Sequence, residues 1–152
     1  MLLYFAYGSN MSRALMRKHC PQTQPIGNAV LDSHRFIVTT DGYASIAPSS
    51  ADQVHGVLWR LAACDVAALN AYEGVDAGLY RLGVRPVRHA AGMARALVYM
   101  GRTCRPGRPR PGYLELVLAA AEDWKLPPAY MDALGRGAPG LDELRARPSL
   151  AG

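Results

Sequence analysis

A short turn near the amino terminus carries polar groups in an order that could bind an anion. The apolar run Leu2–Ala6 is typical of a buried strand, and Tyr7-Gly8-Ser9-Asn10 follows it directly. A glycine-containing turn after such a strand exposes consecutive backbone N–H groups, which suit a carboxylate or the oxyanion that grows on an attacked carbonyl. The same residue types also fit an ordinary strand-to-helix turn, in which glycine supplies a positive φ.

Other types of catalytic centre are poorly supported. The four histidines lack ligand spacing and the three cysteines contain no CxxC pair, so no metal site is expected. Ser-His-Asp catalysis is not favoured either, because the chain has no GxSxG motif and Ser9 lies before a turn. The odd number of cysteines argues against a complete disulfide framework. We therefore expect free thiols.

The composition indicates a single globular domain. Of the 152 residues, 50% are hydrophobic and 19% are charged, so the chain can bury a core without metals or disulfides. The net charge of +5 comes from basic residues that are mostly dispersed, and nucleic-acid binding is not expected. The first residues lack the basic region of a signal peptide and the length of a membrane span. We expect a cytoplasmic protein with neither a membrane partner nor a nucleic-acid partner.

The hydrophobic patterns predict strands first and helices late, which is typical of an α+β domain with a mainly antiparallel sheet or small barrel. Strands are predicted at 2–6, 29–40, 44–47, 54–61, 79–87 and 93–100, and helices at 12–18, 64–72, 113–124 and 127–134. An Asp41-Gly42 turn joins the second and third strands as a hairpin. Pro21 and Pro25 are expected to stop regular structure before it.

Two further segments are predicted to be irregular. Residues 101–112 are dense in Gly, Pro and Arg, a composition that favours a loop, and the loop contains four arginines. Residues 135–152 have little apolar content and are expected to form a flexible tail behind a domain of residues 1–134.

Three segments resemble, in order along the chain, the signatures of the γ-glutamylcyclotransferase family. The first is YFAYGSNM at Tyr4 to Met11, and the second is YEGV at Tyr72 to Val75 followed by Gly78-Leu79-Tyr80. The third, PRPGYLELVLAAAEDWKLPPAYMDAL at Pro109 to Leu134, is similar to the family's C-terminal helices, although the family usually has serine at the position of Arg110. The resemblance implies the γ-glutamylcyclotransferase-like fold, a small mixed, mainly antiparallel β-barrel flanked by helices.

The resemblance also implies a reaction and a set of site residues. A γ-glutamyl amide is cleaved by its own α-amine, which gives 5-oxoproline and a free amine without a cofactor. Glu73 is the implied catalytic residue, since the α-ammonium must lose a proton and the departing amine must gain one. Its predicted place at the C-terminal end of a helix would raise its pKa, because the helix dipole is negative there. The residues implied to bind the small-molecule γ-glutamyl substrate are Tyr4, Phe5, Ala6, Tyr7, Gly8, Ser9, Asn10 and Tyr113.

Several alternatives stay open at this point. A γ-glutamyl-binding module without turnover is disfavoured, because a binder does not need a costly buried carboxylate at Glu73. An RNA-binding barrel would need an aromatic stacking platform beside the arginines, and none is in register. Tyr80 fits equally well as a strand residue with one face on the core. By analogy with the family, the protein could form a homodimer.

The arginines of the 101–112 loop have two interpretations. They could simply be solvated side chains of a surface connection. If Tyr113 lines the pocket, however, they would stand near its mouth, where positive charge favours an acidic leaving group.

Overall fold

Five strands close into one barrel in the computed structural model, which describes residues 2–136. The strands are β1 (Leu2–Ala6), β2 (Gln24–Val38), β3 (Ala44–Leu61), β4 (Tyr80–His89) and β5 (Gly92–Gly101). They follow the order β1-β3-β2-β4-β5 around the barrel. β1 and β5 pair in parallel, and the other neighbouring pairs are antiparallel. The predicted α+β class and the mixed, mainly antiparallel barrel are therefore confirmed.

The four predicted helices are all present, and side chains cap the starts of two of them. The α-helices are α1 (Arg13–His19), α2 (Ala63–Tyr72), α3 (Tyr113–Asp123) and α4 (Pro128–Gly135), and a 3₁₀ turn covers Ser9–Met11. Ser12 Oγ accepts the Leu15 N–H at 3.3 Å, and Asp65 Oδ2 accepts the Ala62 N–H at 2.8 Å. Both contacts satisfy backbone donors that have no partner inside the helix.

The hairpin of β2 and β3 is longer than the sequence predicts. β2 begins at Gln24 instead of residue 29, and β3 continues through Pro48 instead of dividing into two strands. The ladder shifts register between Pro25 and Gly27 and again between Asp32 and His34. Such irregularities bend a strand and accommodate a proline that a regular ladder would exclude. The expectation that Pro25 stops regular structure was therefore wrong, and so was the division of β3 into two strands.

The core of the barrel includes the strand and the turn that lead to the predicted site. Its largest fully buried side chains are Phe5, Met11, Met16, Leu31, Ile37, Leu58, Leu69 and Leu126. Helix α3 adds Leu114, Val117, Ala120 and Ala121, which lie on one face at helical spacing. Burial of a large apolar side chain contributes about 1.5–3 kcal/mol to the stability of the fold. The buried side chains of β1 and of the following turn therefore fix both segments in place.

The segment predicted to be irregular, 101–112, is irregular from 102 onward, and it is bonded along its length to the turn between β2 and β3. Thr40 N–H donates to the Arg105 carbonyl at 3.0 Å, and Gly107 N–H donates to the Val38 carbonyl at 2.9 Å. Arg110 N–H donates to the Gly42 carbonyl at 3.0 Å. The predicted tail, 135–152, lies outside the described residues from 137 onward. Within residues 2–136, none of the helices has the length and apolar character that a membrane crossing requires.

Candidate active site

A cavity of about 190 Å³ lies where the turn after β1, the end of α2 and the start of α3 meet. Seven of the predicted site residues line it, namely Tyr4, Tyr7, Gly8, Ser9, Asn10, Glu73 and Tyr113. They come from three segments that are far apart in the sequence. The fold therefore brings the three motifs to one place.

Phe5 and Ala6 are not among the residues that line this cavity. Both are buried in the core, and their backbones pair with Leu58 and Val57 of β3. A Cβ atom on Gly56 would lie 2.3 Å from the Ala6 carbonyl oxygen and 2.9 Å from the Phe5 ring. These two residues thus hold β1 closely against β3. This close approach requires glycine at position 56.

Seven further residues complete the lining, and the sequence signals for them differ. They are Tyr43, Ala44, Tyr72, Leu79, Tyr80, Tyr99 and Leu116. Tyr72, Leu79 and Tyr80 fall within the second motif, and Leu116 follows Tyr113 by one helical turn, so spacing could have found them. Tyr80 is buried and also donates a hydrogen bond to the Ala44 carbonyl. No local pattern marks Tyr99, which reaches the site through closure of the barrel.

Glu73 follows α2 directly, and its carboxylate contacts the buried amide of Asn10. Asn10 Nδ2 donates to Glu73 Oε1 at 3.2 Å and to the Tyr4 hydroxyl at 3.2 Å. Burial raises the pKa of Glu73 to about 7. The predicted direction of the pKa shift is confirmed, and its cause in the structure is loss of water around the carboxylate. Near neutral pH, Glu73 can therefore both accept and donate a proton.

The tyrosines form a hydrogen-bonded wall around the carboxylate. Tyr7 donates its hydroxyl proton to the Tyr99 carbonyl at 2.5 Å, and Tyr99 donates to Asn70 Oδ1 at 2.7 Å. The Tyr4 ring meets the Tyr99 ring edge-on, with centroids 5.7 Å apart. Burial, and then the charge of Glu73, raise the pKa of Tyr4 and of Tyr7 well above the usual range. These hydroxyls therefore stay neutral.

Helix α3 bonds β3 at its start and the turn after β1 at its end. At its start, the Tyr113 hydroxyl accepts the Ala44 N–H at 3.2 Å, and burial raises the pKa of Tyr113 to about 12. At its end, Trp124 Nε1 donates to the Met11 carbonyl at 2.7 Å. A Cβ atom on Gly8 would lie 3.0 Å from the Tyr113 hydroxyl, so only glycine leaves this approach free.

Asn10 has one polar atom without a partner. Its side chain is 3% exposed, and Oδ1 has no hydrogen-bond partner among the residues that the structure describes. A buried acceptor without a partner costs roughly 1–3 kcal/mol. Because Asn10 lines the cavity, a donor on a bound ligand could satisfy this atom.

The arginines of the 101–112 loop differ in their contacts. Arg102 forms a bidentate pair with Asp41, with distances of 2.7 and 3.0 Å. Arg110 donates from Nε to the Asp41 carbonyl at 3.1 Å, and its guanidinium lies 4.8 Å from the centre of the Tyr43 ring. Since Tyr43 lines the cavity, this loop stands beside the site. Arg105 and Arg108 are exposed.

The titratable side chains do not gather into a metal centre anywhere in residues 2–136. No three His, Cys, Asp or Glu side chains there are placed to hold a metal ion together. The chemistry available at the cavity is therefore one carboxylate with a pKa near neutrality, neutral phenols and amide groups.

Comparison with known proteins identifies the family of the chain. The model of the AIG2-like family matches residues 53–134, more than half of the chain. The chain therefore belongs to the AIG2-like family. Two γ-glutamylcyclotransferases, from Mus musculus and Homo sapiens, are 27% and 25% identical over 143 residues, which cover 87% of this chain and 76% of each relative.

Solved structures show the same architecture. One described as a γ-glutamyl cyclotransferase superposes with a TM-score of 0.83 at 25% identity, over 91% of this chain and 88% of that chain. An uncharacterised protein from Homo sapiens superposes with a TM-score of 0.82 at 26% identity over the same shares. The family resemblance drawn from the sequence is confirmed, and the named relatives support an enzyme of this family.

Proposed function

We propose that this protein is a γ-glutamyl cyclotransferase that releases 5-oxoproline and a free amine from a γ-glutamyl amide, without a cofactor. The observation that carries the proposal is the carboxylate of Glu73 in the cavity, with a pKa of about 7 and a hydrogen bond from Asn10. A carboxylate of that pKa can exchange protons at neutral pH. The names of the relatives support the same reaction.

The polar groups of the cavity match the polar groups of a γ-glutamyl substrate. The α-ammonium is a donor and a cation, and it fits between the Glu73 carboxylate and the unpartnered Asn10 Oδ1. The substrate's carboxylate and γ-carbonyl need donors instead. The hydroxyls of Tyr4 and Tyr113, which accept hydrogen bonds within the protein and keep their protons free to donate, offer them, as does the backbone of the Gly8-Ser9-Asn10 turn.

In the proposed mechanism, Glu73 takes a proton from the α-ammonium, and the free amine attacks the γ-carbonyl carbon. The carbonyl oxygen becomes an oxyanion, which neutral donors stabilise. The bond between that carbonyl carbon and the leaving nitrogen then breaks. Two protons leave the ring nitrogen during the reaction, and Glu73 passes two protons to the leaving amine. Protons and electrons therefore balance without water or a further reactant.

The reaction needs little chemistry beyond this proton transfer, because attack is intramolecular. The enzyme gains rate mainly by holding the substrate in its folded conformer, an effect that can approach roughly 7–11 kcal/mol. A firm cavity wall serves that purpose. Here the wall is held by hydrogen bonds from Tyr7 to β5 and from Trp124 to the turn.

The proposal is tested by incubating the protein with a panel of γ-glutamyl amides and detecting 5-oxoproline by mass spectrometry. An N-acetylated γ-glutamyl analogue should bind without cleavage, because its nitrogen cannot attack. An α-glutamyl dipeptide should also resist cleavage. Amine release from the acetylated analogue would indicate attack by water and a hydrolase. Binding of every γ-glutamyl amide without any 5-oxoproline would indicate a binding module.

A further inference from the structure

The cavity changes in character from its buried end to its mouth. At the buried end lie Asn10 and Tyr4, each 3% exposed. At the mouth lie Tyr72 and Leu116, which are 42% and 40% exposed and also line the cavity. Large hydrophobic side chains that contact water around a pocket are typical of ligand-binding surfaces. The mouth therefore offers apolar area that a ligand could cover.

The apolar side chains at the mouth are placed by the elements that carry the site. Tyr72 immediately precedes Glu73, and its ring packs against the His19 imidazole with centroids 3.9 Å apart. Leu116 follows Tyr113 by three residues on α3, so both lie on the same helix face. Leu79 completes the group and lines the same cavity. The apolar mouth is thus continuous with the catalytic end.

A substrate can occupy this cavity in only one chemically sensible direction. Its charged γ-glutamyl atoms need the polar groups at the buried end, close to Glu73 and Asn10. The substituent on the leaving nitrogen then extends toward the mouth, from which the product amine must also depart. The apolar side chains at the mouth therefore meet the leaving group.

We infer that Tyr72, Leu79 and Leu116 form a leaving-group subsite for an apolar substituent, so that γ-glutamyl amides of apolar amines are the preferred substrates. This inference rests on the proposed cyclotransferase function. An apolar substituent would cover side chains that otherwise contact water, whereas a polar one would gain nothing from them.

The inference predicts a graded dependence on the size of the leaving group. In a neutral series of γ-glutamyl methylamide, ethylamide, propylamide and butylamide, kcat/KM should rise about two- to fourfold per methylene. Such a series keeps the charge constant. It therefore separates apolar contact from any attraction to the arginines of the 101–112 loop.

A matched pair of variants shows whether the mouth causes this dependence. Leu116→Gln should reduce the rise of kcat/KM along the series, because a polar side chain replaces the apolar contact. Leu2→Gln is the control. Leu2 is 39% exposed, nearly the same fraction as Leu116, but it lies on β1 and does not line the cavity. Leu2→Gln should leave the rise of kcat/KM with chain length as steep as in the unmodified protein.

The outcomes separate this inference from the proposed function. The subsite would be overturned if kcat/KM for 5-oxoproline formation were equal along the series, or if it rose as steeply in Leu116→Gln as in the unmodified protein. Either result would leave the cyclotransferase function supported. If no amide yields 5-oxoproline, the proposed function fails, and calorimetric titration of the same series then measures affinity. Affinity that rises with chain length and flattens in Leu116→Gln supports the subsite, and affinity that does not rise overturns it.

Discussion

At the buried end of the cavity, Asn10 joins Tyr4 to Glu73 through its amide, whereas at the mouth Tyr72 and Leu116 contact water. The buried polar groups depend on one another, because a partner left without a hydrogen bond there is costly. The exposed apolar groups have no such dependence. We therefore expect changes at the buried end to affect catalysis strongly, and changes at the mouth to alter the choice of substrate.

The largest expected effect is at Glu73. Glu73→Gln should lower kcat at least about 100-fold, since the amide has the same shape but cannot accept a proton. Glu122→Gln, which changes an exposed glutamate on α3, should leave kcat unchanged. In the unmodified protein kcat/KM should rise with pH through about 7, the pKa of Glu73 in the free enzyme. Cyclisation at an undiminished rate in Glu73→Gln would show that another group is the base.

The burial of Glu73 should also appear in stability. Its pKa is raised from 4.5 to about 7 on folding, so the folded state favours the protonated form, and this stabilisation is lost as pH rises through about 7. The free energy of unfolding of Glu73→Gln should match that of the unmodified protein near pH 4 and exceed it at pH 9, by at most about 3 kcal/mol. Urea unfolding of both proteins at both pH values measures this difference. A difference between the two proteins that is the same at pH 4 and pH 9 would mean that Glu73 is well solvated.

A smaller effect is expected at Tyr113, where the buried end meets α3. Tyr113→Phe removes the hydroxyl that accepts the Ala44 N–H but keeps the ring against Tyr43, 5.3 Å away. The same hydroxyl is proposed to donate to the substrate, and loss of that hydrogen bond, worth about 1–1.5 kcal/mol, should lower kcat/KM about tenfold. Tyr130→Phe on α4, away from the cavity, is the control. If both variants retain full activity, the Tyr113 hydroxyl does not contribute to binding or turnover.

The smallest effect is expected outside the mouth, in the 101–112 loop. Changing Arg105 and Arg108 together to Glu should lower kcat/KM about threefold for a γ-glutamyl substrate whose leaving group is anionic, and should spare a neutral one. In the unmodified protein, the ratio of kcat/KM for the anionic substrate to kcat/KM for the neutral one should shrink between about 0.01 M and 0.15 M salt, as the Debye length falls. Equal effects on both substrates would leave these arginines as solvated surface charges.

Local chemistry in the sequence determined much of the fold and the identity of the principal site residues. Ser12 and Asp65 satisfy backbone donors at the starts of their helices, and the apolar residues at helical spacing on α3 are buried. These features depend on residues within one or two turns of each other. The Tyr7 to Asn10 turn, Glu73 and Tyr113 could be selected from motifs that are each continuous in the sequence.

Only the tertiary structure decided which of these residues share a cavity and in what environment. Tyr99 enters the site because β5 closes the barrel against β1, and Phe5 leaves it because it packs into the core. The cause of the raised pKa of Glu73 also appears only in three dimensions. Burial depends on contacts between distant segments, whereas caps, turns and helical periodicity depend on neighbours along the chain, which a sequence displays directly.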